Sequence, residues 1–287
     1  MAISQAHKLG ELIGLFFEEA MKEPIASFAR RASLYFDTIG TRKARKGKKV
    51  SWTDINGNRH DLDYVLERDG SDDKIGEPVA FIELAWRRYT KHSKNKVQEI
   101  TGAVNPIAER YAQARPFKGA ILSGDFTVTS LEQLRSEGFS VLYIPFKKIV
   151  GAFAAHGLDI YFDERTSEAK LLAAVRAWKK TSRATLEAIR STLFSMCDGE
   201  VAEFVKSLRA AVDRKLKYVF VIPLYGRETE LKSIADAIDY IRNLPDRHDK
   251  APLRYVEVVV AYTDGTEIDC QFPDRSGAVA FLQSIGK

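Results

Sequence analysis

Two acidic residues lie in apolar, strand-like surroundings, where an unpaired charge is costly. Asp63 belongs to the segment LDYVL, and Glu83 stands in the middle of PVAFIELAW. A carboxylate in such a strand must be paired with a cation or bind one. If the two strands are neighbours, the carboxylates favour a hard divalent ion such as Mg²⁺, for which Mn²⁺ can substitute. Such an ion polarises a scissile phosphate and activates water, so the chemistry indicated is phosphodiester hydrolysis. The alternative is that Glu83 pairs with a nearby Arg or Lys and only seals the sheet.

Positive charge is concentrated in two segments. The net charge of +5 divides into +11 within residues 42–49 and 87–96 and −6 over the rest of the chain. Clustered cations are typical of proteins that bind a polyanion, because each neutralised phosphate releases counterions. The candidate DNA-binding residues are Arg42, Lys43, Arg45, Lys46, Lys48, Lys49, Arg87, Arg88 and Lys91. The alternative is a solvated loop followed by a solvated helix start.

The hydrophobic pattern predicts the elements that position these residues. It indicates helices at 6–21 and 25–36, separated by Pro24, and strands at 50–53, 60–66 and 78–86. Asn56-Gly57 predicts a hairpin turn between the first two strands. A helix from Ser93 to about Ala114 follows, and then strands and helices alternate at 117–123, 130–137, 139–144 and 146–156. Ser93 is placed as the N-cap of its helix.

This alternation predicts an α/β fold with a mixed β-sheet flanked by helices. We expect three parts: an α/β domain at 1–165, a helical segment at 166–216 with a break near 197–199, and a small α+β domain at 217–287. The last part is predicted to contain a helix at 229–243 and a hairpin about Asp264-Gly265. The helix that carries Trp178 is rich in Arg and Lys and could face DNA, although a plain amphipathic helix is the simpler interpretation.

The α-β-β-β-α-β order, with Asp63 on the second strand and Glu83 on the third, resembles the PD-(D/E)XK nuclease superfamily, which contains most type II restriction endonucleases. The resemblance covers roughly residues 6–145. It implies that Asp63 and Glu83 hold Mg²⁺. Two positions depart from the motif: Leu62 replaces a frequent Pro, and Ala85 replaces the Lys that normally orients the attacking water.

Some members of the superfamily supply that cation from the following helix. The resemblance therefore makes Lys94 and Lys96 the candidates, ahead of Lys91, with Arg87 and Arg88 as further candidates. It also implies a Glu on the first helix, which Glu18 fits and Glu19 fits less well, and a Gln on the helix after the motif, which Gln98 fits. The alternative for Glu18 and Gln98 is an exposed surface position.

The resulting hypothesis is a Mg²⁺-dependent DNA endonuclease of the restriction type. A homodimer would supply two sites for the two strands, and a companion methyltransferase would be encoded nearby. The alternatives are a non-catalytic DNA-binding or assembly protein with a degenerate nuclease fold, and a nuclease subunit of a larger defence complex. RNA remains a possible substrate.

The same sequence argues against several other classes of protein. No apolar run reaches the roughly 18 residues of a membrane span, and no signal-peptide pattern is visible. The two cysteines, Cys197 and Cys270, are too few for a disulfide framework. We therefore expect a cytoplasmic protein with free thiols. A phosphate-binding GxxxxGK[ST] motif is also absent, which argues against an ATP-driven motor.

Overall fold

A computed structural model describes residues 4–224, 227–248 and 251–286 of the 287-residue chain. The chain divides into two compact units, of which the first ends at Arg209 and the second begins at Ala210. The helices at 168–180 and 183–196 pack on other helices of the first unit and lie within it. The elements that contain or precede this boundary are α1 (Gln5–Arg31), β1 (Tyr35–Thr38), β2 (Val50–Thr53), β3 (Arg59–Leu62), β4 (Tyr64–Arg68), β5 (Glu77–Arg87), α2 (Ser93–Arg110), β6 (Phe117–Gly124), α3 (Val128–Ser136), β7 (Ser140–Pro145), α4 (Phe146–Ala154), α5 (Glu168–Lys180), α6 (Arg183–Met196) and α7 (Asp198–Val212).

A mixed five-stranded sheet forms the centre of the first unit, in the order β1-β4-β5-β6-β7. Strand β4 is antiparallel to both of its neighbours, β1 and β5, whereas β5, β6 and β7 are parallel to one another. Phe81 and Ala85 on one face of β5 pack with Val97 of α2, whereas Trp86 on the other face lies against Gly14 of α1. Because successive strand residues point to opposite faces, α1 and α2 cover opposite sides of the sheet. The predicted α/β class with a mixed sheet flanked by helices is confirmed.

The predicted hairpin is confirmed, but the strand predicted at 60–66 is two strands. Residues of β2 and β3 pair with each other about Asn56-Gly57, and Gly57 has the positive φ of 89° that this turn requires. The chain then leaves the hairpin sheet at Leu62 and enters the main sheet at Tyr64. Asp63 is the junction residue between the two sheets.

The N-terminal region differs from the prediction at two points. Pro24 does not divide the first helix, because Met21, Ile25 and Phe28 on both sides of it are buried in one core. The second helical piece was predicted to reach residue 36, yet Tyr35 begins strand β1. This strand is formed by antiparallel pairing with β4, a long-range contact that overrides local propensity.

Three helix boundaries also differ. Ser93 is not an N-cap: it is the first residue of α2, it follows a 3₁₀ turn at Thr90–His92, and its hydroxyl donates to the Thr90 carbonyl oxygen at 2.8 Å. α2 ends at Arg110 rather than near Ala114. The break near Cys197 is confirmed, but a second break at residues 181–182, where Ser182 caps α6, divides the predicted helical segment into three helices.

The second unit is a small α+β fold. After the start of the unit its elements are β8 (Leu216–Pro223), β9 (Thr229–Leu231), α8 (Ile234–Arg242), β10 (Arg247–His248), β11 (Ala251–Pro252), β12 (Val256–Tyr262), β13 (Glu267–Phe272) and α9 (Arg275–Ile285). The main sheet has the order β13-β12-β8-β9, and the hairpin about Asp264-Gly265 is confirmed. The helix predicted at 229–243 is partly wrong, because residues 229–231 pair with β8 and Ser233 caps a shorter helix. Across the described ranges of both units, no helix is long and apolar enough to cross a membrane.

Candidate active site

Asp63 and Glu83 are held together by main-chain hydrogen bonds. The pair Tyr64↔Ile82 is the last in the register of β4 and β5, so Asp63 comes next to Glu83. The Asp63 N–H donates to Glu83 Oε1 at 3.3 Å, and the Leu84 N–H donates to Asp63 Oδ2 at 2.7 Å. The predicted proximity of the two carboxylates is confirmed, and its cause is the change of sheet at Asp63.

Burial makes this pair electrostatically unfavourable without a cation. Burial and the negative charge of Asp63 raise the pKa of Glu83 to about 8, although Lys96 and the Asp63 N–H lower it in part. Burial also raises the pKa of Asp63, opposed by the hydrogen bond from Leu84 and the charge of Lys96. Perturbed carboxylates of this kind are typical of functional sites.

One oxygen of each carboxylate remains available. Asp63 Oδ1 and Glu83 Oε2 receive no hydrogen bond from any residue that the structure describes. Both side chains line a cleft of about 850 Å³, which opens at the carboxyl end of β5. The main chain therefore fixes the orientation of both groups and leaves one oxygen of each for a ligand in the cleft.

Helix α1 forms one wall of the cleft. Gly14 lies so close to β5 that a Cβ there would be 3.5 Å from Trp86 Cδ1. The Tyr64 hydroxyl donates to the Glu18 carbonyl oxygen at 2.8 Å, which anchors the helix to β4. Glu18 is exposed overall, but its carboxylate lies at this wall, where partial burial and the charge of Asp63 raise its pKa. The structure thus brings Glu18 into the cleft that both carboxylates line, whereas Glu19 is outside that cleft and lines a neighbouring cavity shared with Glu18 and Asp63.

Helix α2 forms the opposite wall of the cleft. Its orientation brings only one of the two candidate lysines into the cleft. Lys96 lines the cleft, and its side chain is 18% exposed. Lys94 and Gln98 are exposed and lie outside the cleft lining, so their predicted place in the site is not supported. The reason is helical geometry: residues two apart lie about 200° apart around the axis, so only one of the two lysines can face the sheet.

Glu99 was missed in the sequence. Its carboxylate is 3.3 Å from Lys96 Nζ and 3.8 Å from an Arg87 guanidinium nitrogen, so it joins the two cations of this wall. The i,i+3 spacing to Lys96 was the available signal. Ala85, at the motif's lysine position, is buried in the core against α2. A longer side chain there would collide with this packing.

Arg88 and Lys91 have mainly structural partners. Arg88 donates to the Phe162 carbonyl oxygen and to the Asp125 carboxylate, and its guanidinium lies 4.4 Å from the centre of the Phe146 ring. Arg88 lines the cleft, and these contacts fix its guanidinium. Lys91 is exposed and lies 3.1 Å from a Glu164 oxygen.

Arg42 and Arg45, both predicted to bind DNA, are held by buried acids in the structure, so their predicted role is not supported. The Arg42 side chain is 1% exposed and donates to Asp37 at 2.8 Å and to Glu67 at 2.6 Å. Arg42 also donates to the carbonyl oxygens of Ser71 and Lys74, which fixes the loop between β4 and β5. Arg45 pairs with Asp37 at 3.1 Å. Buried acids on β1 and β4 thus take up these two charges.

The four lysines of residues 42–49, in the loop between β1 and β2, remain at the surface. Lys43 lies 3.1 Å from Asp73, and Lys49 lies 2.6 Å from Asp61. Lys46 and Lys48 are exposed and make no ion pair with a described residue. The positive charge that this loop presents to solvent is therefore much smaller than its sequence indicates.

The donor set fits a hard cation with few protein ligands. No group of three or more His, Cys, Asp or Glu side chains within the described ranges is arranged to hold a metal ion by itself. Mg²⁺ does not need such a group, since it keeps several waters and commonly takes one or two carboxylates. The free oxygens of Asp63 and Glu83, with Glu18 nearby, match that requirement.

Comparisons with known proteins identify no family. No protein-family model and no curated protein matches the chain. The chain is similar to a crystal structure titled as a protein of unknown function, AF1548, with a TM-score of 0.31 and 11% sequence identity. That similarity covers 69% of this chain and 95% of the other.

Proposed function

We propose that this protein is a Mg²⁺-dependent DNA endonuclease of the type II restriction kind, with a PD-(D/E)XK core. The order α1, β1, β4, β5, α2, β6 follows the αβββαβ pattern of that superfamily, with the β2–β3 hairpin inserted after the first strand. The sequence predicted residues 50–53 as the first strand of the pattern, whereas in this proposal β1 would take that place, since β1 pairs with β4 in the main sheet.

The observation that carries the proposal is the fixed Asp63–Glu83 pair in an open cleft. The two side chains would hold Mg²⁺ through their free oxygens, and Mn²⁺ would substitute for it. When bound, the ion would polarise the scissile phosphate and lower the pKa of a water molecule. The protein contributes preorganisation, since main-chain hydrogen bonds hold both carboxylates before substrate arrives.

Lys96 would provide the positive charge that Ala85 does not. It faces the two carboxylates from α2, and its charge lowers the pKa of both. There it would orient the attacking water and stabilise charge on the phosphate. Arg87, on the same wall, would contact the DNA backbone.

The wider setting follows from this activity. Two cut strands require two sites, so we propose a homodimer. The second unit would provide dimerisation or sequence recognition, a companion methyltransferase would protect the host DNA, and the enzyme would act in the cytoplasm.

The experiment is a cleavage assay on plasmid DNA and RNA in Mg²⁺, Mn²⁺ or EDTA. We expect DNA cleavage with either metal and none in EDTA. Asp63→Ala and Glu83→Ala should abolish cleavage without unfolding the protein. Glu77→Gln is the matched control, because Glu77 is an exposed acid on the same strand, paired with Arg68. Absence of metal-dependent cleavage by the native chain would contradict the proposal. A much lower Tm of Glu83→Ala than of the native chain in EDTA would instead make Glu83 a structural ion-pair partner.

A non-catalytic DNA-binding or assembly protein is the second candidate. It is favoured by Ala85 and by the Lys96–Glu99 ion pair, which engages the replacement lysine. DNA binding without cleavage in any metal would support this candidate. Cleavage only after addition of the products of neighbouring genes would support a subunit of a larger complex.

A further inference from the structure

A third basic cluster keeps its charge. Residues 176–183 contain four cations and no acid: Arg176, Lys179, Lys180 and Arg183. All four are exposed, and none makes an ion pair with any residue within 4–224, 227–248 or 251–286. We refer to these four residues as the α5–α6 cluster.

The local structure explains why these cations stay at the surface. On α5, Arg176, Lys179 and Lys180 have the spacing that places them on one face. The opposite face buries Val175 and Trp178. The indole of Trp178 stacks on the Phe153 ring, with the ring centres 4.6 Å apart. Trp178 is therefore core, not a base-stacking residue. Ser182 then caps α6, and Arg183 is the first residue of that helix.

The two basic segments that dominate the sequence behave differently. In residues 42–49, acids pair with four of the six cations: Arg42, Lys43, Arg45 and Lys49. In residues 87–96, acids pair with Arg87, Arg88, Lys91 and Lys96, which leaves Lys94. The α5–α6 cluster is thus the densest unpaired positive charge along the described part of the first unit.

The cluster lies beside the candidate active site. Leu15 of α1 lines the cleft that holds Asp63 and Glu83. The same Leu15 lines a second cavity, of about 390 Å³, whose wall includes Trp178 and Arg183. Leu15 therefore borders both the cleft and the cavity that Arg183 of the cluster lines, so a strand that leaves the cleft over α1 at Leu15 would approach Arg183 first.

We propose that the α5–α6 cluster is the main backbone-binding surface for duplex DNA. This inference rests on the proposed function, since it takes a nucleic acid as the substrate of the cleft. Long flexible cations on an exposed helix end contact phosphates without reading bases. The cluster therefore contributes affinity and register rather than sequence preference, and it takes the role that the sequence assigned to residues 42–49.

The test compares two variants that each lose three positive charges. One carries Lys179→Gln, Lys180→Gln and Arg183→Gln. The control carries Lys74→Gln, Lys147→Gln and Lys206→Gln, which are exposed lysines elsewhere on the first unit. Binding of a 30-base-pair fluorescent duplex of random sequence is measured in EDTA at several salt concentrations, so that cleavage does not interfere. Thermal melts verify that both variants fold.

We expect the cluster variant to lose affinity, with the slope of log K against log salt smaller by about 0.9 for each phosphate contact removed. In the control variant, this slope should change by less than about a third of the change in the cluster variant. Equal losses in the two variants, an unchanged slope in the cluster variant, or no DNA binding by the native chain would overturn the proposal. Loss of binding to phosphatidylserine vesicles with DNA binding intact would overturn it in favour of a membrane partner.

Cleavage assays separate this inference from the proposed function. If the native chain binds DNA through the cluster but never cleaves it, the inference stands and the proposed endonuclease activity fails. If the native chain cleaves DNA and the cluster variant binds and cleaves equally well, the activity stands and the inference fails.

Discussion

Asp63 and Glu83 are joined by a main-chain hydrogen bond, with the Asp63 N–H 3.3 Å from Glu83 Oε1. This bond holds the Glu83 carboxylate beside Asp63, where burial and charge repulsion between the two carboxylates disfavour ionisation of Glu83. The free energy of that repulsion is therefore stored in the folded chain and is released by a proton or a bound cation. This relationship links stability to pH and to metal, and each link can be measured.

Glu83→Gln should stabilise the metal-free protein in a pH-dependent way. Glu83 binds its proton more tightly when folded, since its pKa rises from 4.5 to about 8. Its contribution to stability is thus present below pH 4.5 and is lost as the pH rises to about 8. The Tm of Glu83→Gln should match the native value near pH 4.5 and exceed it by several degrees at pH 8. Melts in EDTA test this, and a constant difference across pH would contradict it.

Lys96→Gln should lose most of the cleavage rate while still binding DNA. Loss of a positioned charge stabiliser costs about 10²–10³ in rate at comparable sites. Lys94→Gln is the matched control, because Lys94 is exposed and does not line the cleft. Single-turnover cleavage at saturating enzyme isolates the step. If Lys96→Gln cuts at the native rate, the prediction is wrong, and Arg87 or a partner subunit must supply the positive charge.

Glu18→Gln should weaken Mg²⁺ binding, so that about a tenfold higher metal concentration is needed for the half-maximal cleavage rate. The reason is that Glu18 shares the cleft with Asp63, where partial burial and, second, the charge of Asp63 raise the pKa of Glu18. Glu19→Gln serves as the control, since Glu19 lies outside the cleft lining. Mg²⁺ titrations of both variants provide the measurement, and identical curves would assign Glu18 to the surface.

Arg42→Gln should destabilise the fold rather than weaken DNA binding specifically. It leaves Asp37 and Glu67 buried without their cation, and breaking a buried ion pair from one side costs about 3–5 kcal/mol. Lys48→Gln, in the same loop, should leave the free energy of unfolding within about 0.5 kcal/mol of the native value. Urea unfolding of both variants checks this. Equal stability of the two would show that the Arg42 network contributes little.

Local features could be predicted from the sequence because their physical causes are local. Asn56-Gly57 supports a turn through its tolerance of positive φ. The apolar run around Glu83 predicts a buried strand, and an acid inside it indicates a site because burial of an unpaired charge is costly. These inferences depend on residue type and spacing, so they did not need the rest of the fold.

The tertiary structure decided whatever depends on partners distant in sequence. Strand β1 exists because it pairs with β4, and its Asp37, together with Glu67, converts Arg42 from a DNA-binding candidate into a buried structural residue. The rotation of α2 against the sheet selects Lys96 over Lys94. The sequence alone determined that two carboxylates lie in apolar strand-like segments and that cations are concentrated in residues 42–49 and 87–96. Only the tertiary structure determined which charges neutralise each other and which stay free, because that depends on distances of a few ångströms between segments far apart in sequence.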